Sequence, residues 1–296
     1  MFSNTDTKDT PPLNIKTKLA VITIALVSLI TPLAVAPAHA ATSNMVVFGD
    51  SFAANPKIKE DTARMQWTEG CIQAPDNWPR LVSQKTGIPV ADYSCNGRTS
   101  RTMLHRIDQA IASGALNSAT RIVVISVGGN NYWKPGLEDG VNIFNYNDIT
   151  NNYISDIEEA ARRIRTVAPH ARIVMSGMLS ISKPDGLNGV CLVALHNQVN
   201  LSSQTIAFPD FYLGIPMPFV QNMEQNLRYN QWESANRIGA EFIDIKEMTK
   251  YNNTCAKGSH RFVSSYMDDV TADYNMIFHP SRAGSEFIAD RVVERI

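Results

Sequence analysis

Neither sign of charge is in excess in this chain: 27 Lys and Arg stand against 28 Asp and Glu over 296 residues, a formal net charge of −1. Such a balance supplies no polybasic face for nucleic acid or anionic lipid, so no nucleic-acid partner is expected. Internal repeats, low-complexity stretches and a composition-shifted linker are missing too, which argues for one domain behind the N-terminal segment. Cysteine is scarce and never closely paired. The four residues, Cys71, Cys95, Cys191 and Cys255, include no CxxC, the spacing that thiolate zinc sites favour, and no metal or cofactor is expected.

What cysteine there is forms an even set, all of it beyond the N-terminal segment. In an oxidising compartment four cysteines make two disulfides in one of three pairings. The sequential pairing, Cys71 with Cys95 and Cys191 with Cys255, closes the shorter loops and is preferred. The compartment is read from the start of the chain. Lys16 and Lys18 precede an apolar run from Leu19 to about Ile30, and Ala38-His39-Ala40 sets small residues at the two positions a signal peptidase inspects. Pro32 and Pro37 break the run before it spans a bilayer. The expectation is a signal peptide over residues 1–40, cleaved after Ala40, and an exported domain over residues 41–296, outside the cell or in its envelope.

Beyond that point short β-like runs alternate with longer amphipathic ones. The strands expected are Met45 to Gly49, Val90 to Tyr93, Arg121 to Val127, Arg172 to Ser176 and Glu241 to Ile245. Helical spacing of apolar residues runs through Thr102 to Ala112, Tyr153 to Ala168 and Ser281 to Ile296, the last opening on a Ser N-cap after Pro280. This alternation predicts a single-domain three-layer α/β/α sandwich around a mostly parallel five-stranded sheet. In such sheets ligands sit beyond the carboxyl ends of the strands, so the residues that follow each strand carry the functional reading.

After the first strand, in "VVFGDSF", Gly49 has the freedom for a sharp turn that holds the Ser51 hydroxyl out of the sheet. Asn96 and Gly97 follow the second strand, and "GGNN", Gly128 to Asn131, follows the third. "FHPSRAG", with His279, stands before the final helix. A hydroxyl, a glycine amide, an asparagine amide and an imidazole at one sheet edge make an acyl-transfer site.

In order and type these segments resemble the four signature blocks of the SGNH (GDSL-type) hydrolase superfamily, across Gly49 to Ser281. The resemblance implies the flavodoxin-like fold of that family and an ester hydrolase of esterase or lipase type. Ser51 would be the nucleophile and His279 the general base. The Ser51 and Gly97 amides and the Asn130 side chain would form the oxyanion hole. Two positions depart from the pattern. Met276 stands where the family usually has an aspartate three residues before its histidine, and the resemblance to a Ser-His dyad subgroup implies that the Met276 carbonyl orients the ring; a displaced acid such as Asp273 is the alternative. Asn131 replaces an aspartate that often follows the family's asparagine. No GxSxG elbow supports an α/β-hydrolase, and the helices contradict a chymotrypsin-type protease.

The remaining features have structural readings. His105, His170, His196 and His260 stand beside no motif and are expected to be surface or satisfied structural residues. The acidic run Met267 to Asp273 lacks EF-hand spacing and is expected as a solvated loop. Ser202 to Asn222, rich in proline and aromatics, is expected as a loop rather than a helix or inner strand: either a wall or lid of an acyl pocket, favouring lipid or medium-chain esters, or a loop packed near Cys191. The partner expected is a small-molecule, lipid or glycan ester, with contact to the cell envelope. Two rival functions remain. One is an envelope acyltransferase or a deacylase of glycans or glycolipids, in which a hydroxyl replaces water. The other is a catalytically silent binding protein that keeps the fold. Fluorophosphonate labelling of Ser51 separates the silent protein from the enzymes.

Overall fold

The computed structural model describes residues 44–57, 66–185, 189–201, 204–271 and 273–296, all within one compact unit, His39–Ile296. The expected signal peptide lies outside the described residues. In chain order the elements are β1 (Met45–Gly49), α1 (Ser51–Ala54), β2 (Gln66–Thr68), β3 (Cys71–Gln73), α2 (Trp78–Thr86), β4 (Val90–Asp92), α3 (Ser100–Ala112), β5 (Ile122–Ser126) and α4 (Lys134–Glu138). They continue with α5 (Tyr146–Val167), β6 (Arg172–Ser176), β7 (Val190–Leu201), β8 (Gln204–Ile215), α6 (Pro218–Ile238), β9 (Glu241–Ile243), α7 (Ile245–Met248), β10 (Met267–Asp268) and α8 (Arg282–Val293).

The central sheet has the order β4-β1-β5-β6-β9, every pair parallel. Its strands are the five expected from the sequence, and α2 with α8, and α3 with α5 and α6, supply helical layers on its two faces. β1 and β5 are buried end to end because both faces are covered, which explains their unbroken apolar runs. From β1 the chain runs outward to β4 and then returns to the other side at β5. The order therefore reverses beside β1, and a crevice opens past the carboxyl ends of β1 and β5.

The α3 N-terminus is a capping box, Thr99 with Thr102, and Ser281 caps α8 through the Gly284 amide, as its place after Pro280 predicts. Cys71 is bonded to Cys95 and Cys191 to Cys255, the sequential pairing.

Three expectations need correction. The segment from Ser202 to Asn222, apart from Ser202 and Ser203 outside the described residues, is no loop: it comprises the whole of β8 and the start of α6. Pro209 is tolerated because β8 is an edge strand and the pairing skips that residue, stepping from Leu195↔Phe211 to Asn197↔Phe208. Pro218 begins α6 at a position whose N–H has no helical partner to lose. The acidic run is likewise no solvated loop at Asp268, whose fully buried carboxylate pairs with equally buried Arg261 and accepts the Ser265 and Thr271 amides. Finally, Gly49 serves by having no side chain: a Cβ there would meet the Ala53 Cβ at 2.5 Å and the Ser126 carbonyl oxygen at 2.9 Å.

Candidate active site

Ser51 is the first residue of α1, at the carboxyl end of β1. Asp50 fixes the turn in front of it. Its carboxylate accepts the Phe52 amide at 2.9 Å, capping α1, and reaches across to the Gly128 amide at 3.2 Å, so the turn after β1 and the turn after β5 share one anchor. Burial raises the Asp50 pKa to about 6, against the downward pull of the Phe52, Gly128 and Gly129 amides.

The Ser51 hydroxyl donates to His279 Nε2 at 2.8 Å, and His279 Nδ1–H donates to the Ile277 carbonyl at 2.8 Å. The orienting carbonyl is therefore Ile277's and not Met276's. The Met276 carbonyl accepts the Ser264 hydroxyl at 2.7 Å instead. Phe278 takes a left-handed φ of 57°, uncommon for a bulky residue, and the chain doubles back so that the ring meets a carbonyl two residues earlier. Asp273 is exposed, and its main chain, not its carboxylate, is engaged, by the Arg282 amide at 2.8 Å. The half-buried imidazole packs on Phe52, ring centroids 4.9 Å apart. Desolvation holds its pKa below the ordinary value, only partly offset by the bond to Ile277, and the neutral ring keeps a free Nε2 lone pair facing the hydroxyl.

A second tie joins the two segments. Asn55, in left-handed conformation at the end of α1, donates from its side chain to the Pro280 carbonyl at 3.0 Å, next to His279. The sequence reading overlooked it; its signal is an Asn directly after a short apolar helix, where αL conformations favour it.

Asn130 donates to the Arg98 carbonyl at 3.0 Å and so holds the Gly97 turn against the turn after β5. A primary amide has two N–H donors, which leaves one for another acceptor. Asn131 is buried and clamps the start of α3, accepting the Ser100 amide at 3.0 Å and donating to its hydroxyl at 2.8 Å.

Ser51, Asn130 and His279 line one cavity of about 290 Å³, together with Trp133, Met178, Ile181, Val190, Met217, Val220, Met223, Ile277 and Phe278. Gly97 is not among its lining residues. Of the segment expected as a lid, Met217 and Val220 form wall, while Phe211 does not. Phe219 stands edge-on to Trp133, centroids 5.2 Å apart. Buried Glu224 of α6 fastens another wall by accepting the Ile181 amide at 2.6 Å and the Ser182 amide at 3.2 Å.

A histidine-bonded serine beside an apolar cavity, at the point where the strand order of a parallel sheet reverses, is an arrangement able to carry out acyl transfer. The chain belongs to the GDSL-like lipase/acylhydrolase family, whose model matches residues 47–287, and it is a carboxylic ester hydrolase. It is similar to an esterase of Streptomyces scabiei, 24% identical over 85% of each chain, and to lipase 2 of Streptomyces coelicolor, 20% identical over 88% of each. Two solved structures share the fold: phospholipase A1 of Streptomyces albidoflavus, TM-score 0.51 at 16% identity, and an extracellular lipase of Streptomyces rimosus, TM-score 0.52 at 18% identity. Each match covers 85% of this chain and 97% of the other.

Proposed function

We propose that the protein is an exported esterase acting through a Ser51–His279 dyad on carboxylic esters with an apolar acyl group. The observation that carries the reading is the relay Ser51 Oγ–H to His279 Nε2, and Nδ1–H to Ile277 oxygen, each 2.8 Å, at the wall of an apolar cavity. The Ile277 carbonyl fixes the tautomer, a task that needs an acceptor but not a carboxylate. His279 takes the hydroxyl proton as Ser51 attacks the ester carbonyl, then returns it to the departing alcohol. Water, deprotonated by the same ring, releases the acid. The Ser51 amide and the second N–H of the Asn130 amide, both on cavity-lining residues, stabilise the oxyanion, each donor contributing roughly 3 to 4 kcal/mol, and the Gly97 turn, held by Asn130 through the Arg98 carbonyl, stands beside them. At about 290 Å³ the cavity lies at the small end of ligand sites and suits one acyl chain, not a whole lipid.

Fluorophosphonate labelling followed by peptide mapping tests this. The label is expected on Ser51 alone and is expected to vanish in His279→Ala, whereas an unlabelled chain would leave only a silent fold.

A further inference from the structure

β7 and β8 form a ribbon of two twelve-residue strands joined to the rest of the molecule through β10 at its root. One face packs inward there: Ala194 is fully buried, and the Arg261 guanidinium lies over the Tyr212 ring at 5.4 Å. The other face is apolar and uncovered. Residues directly opposite in a ladder share a face, so Leu213 with Val193, and Phe211 with Leu195, point the same way. Between Leu195 and Asn197 the partner strand spends one extra residue, and this bulge returns Phe208, and then Ile206, to the face of Phe211. A regular strand would have turned them over. Met267, in register with Val193 on the third strand, extends the same face. Ile206, Phe208, Phe211, Leu213 and Met267 are 43 to 52% exposed.

We propose that this face docks the enzyme on the surface of a zwitterionic lipid layer, an assignment that rests on the ester-hydrolase reading of the Ser51 site. Three observations select that occupant. Five half-exposed side chains present on the order of 100 Å² each, within the range of a functional patch but below the roughly 800 Å² per partner of a stable dimer. From Val190 to Ile215 there is no Lys, Arg or Glu, and His196 and Asp210, its only imidazole and only carboxylate, pair with each other at 3.0 Å. The ribbon thus lacks the cations that attract anionic lipid, and the charge that borders it, exposed Asp269 accepting the His196 amide at 2.6 Å, is negative. Finally, the ribbon starts and ends at the cavity. Val190, the first residue of the ribbon, and Met217, just past its last, both line the cavity with Ser51. A lipid held against the ribbon keeps its bulk in the layer and offers one ester to a cavity sized for one chain.

Flotation of the full oxidised protein with phosphatidylcholine vesicles tests the assignment, with p-nitrophenyl butyrate turnover measured in parallel. The unmodified protein and Ser51→Ala are expected to float equally. Phe208→Ser/Phe211→Ser is expected to lose at least about tenfold in vesicle partitioning, with turnover of the soluble ester within about twofold. Phe208→Ser alone, on an exposed position, gives a smaller loss of the same sign and guards against a misfolded double variant. Flotation unchanged by these substitutions, absent from the unmodified protein, or dependent on added phosphatidylglycerol overturns the proposal. So does a dimer that the double variant abolishes. Flotation lost in the double variant, in a protein that turns over no ester, supports the docking face while removing the catalytic reading.

Discussion

At His279 the sign of the pH dependence follows from what the ring must do. It accepts a proton, so only the neutral form works, and burial lowers its pKa from the ordinary 6.5. The acid limb of kcat/KM is expected to rise with pH, with its midpoint below the 6.5 of an unperturbed imidazole; a profile flat from pH 4 to 8 would remove histidine as the base. The same limb should persist in Asp50→Asn, because it belongs to the imidazole. Asp50 has its own signature. Its pKa is raised from 3.8 to about 6, so its contribution to stability is fully present below pH 4 and lost as pH rises through about 6. Relative to Asp50→Asn, the unmodified protein should lose about 2 kcal/mol between pH 4 and pH 7, read as the change in the difference between two urea-denaturation series. Asn130→Ala is expected to lower kcat by about a hundredfold or more with little change in KM, because its free N–H matters when charge develops on the carbonyl oxygen. The motif residues were legible in sequence because each borders an element: Ser51, Gly97 and Asn130 fall in the turns after β1, β4 and β5, and His279 stands just before α8. The orienting carbonyl was not, since whether Met276 or Ile277 faces the ring depends on the left-handed turn at Phe278, and a carbonyl carries no mark of residue type.

Between elements, α8 meets the segment before the His279 loop at very close range. A Cβ at Gly284 would lie 2.3 Å from the Phe262 carbonyl oxygen, and Ser264, two residues on, donates its amide to the His279 carbonyl at 3.2 Å. Gly284→Ala should therefore cost at least about 1 to 3 kcal/mol and lower kcat more than KM, since backbone must move where a flexible side chain need not. The disulfides act on a different part of the balance. Cys71–Cys95 spans 24 residues and Cys191–Cys255 spans 64. Chain entropy makes the longer loop worth about 0.9 kcal/mol more when closed, so serine pairs at 191 and 255 should unfold at lower urea than those at 71 and 95. An equal or reversed order would show that loop length is not what decides. β1 and β5 were readable here because burial on both faces leaves continuous apolar runs, and β4, β6 and β9 because short apolar stretches recur between helical ones. The ribbon and α6 were not, because Pro209 and Pro218 were weighed as breakers, whereas one occupies a bulge and the other a first helical turn.

For the whole molecule, the paired cysteines and the N-terminal pattern bear on one question, where the chain folds. Two bonded pairs leave no free cysteine among the described residues, a state suited to an oxidising compartment. The parts that oxidation secures are close to the site: Cys95 lies two residues before Gly97, and Cys191 follows Val190 of the cavity wall. We propose export with cleavage after Ala40, and expect the mature protein recovered outside the cytoplasm to begin at Ala41 and to consume no thiol reagent until reduced. Reduction should weaken turnover of soluble ester as well as stability, because both bridges brace segments that shape the site. Protein that retains residues 1–40, or that carries four reactive thiols while fully active, would place its folding in a reducing compartment and leave the bridges without a part in holding the site.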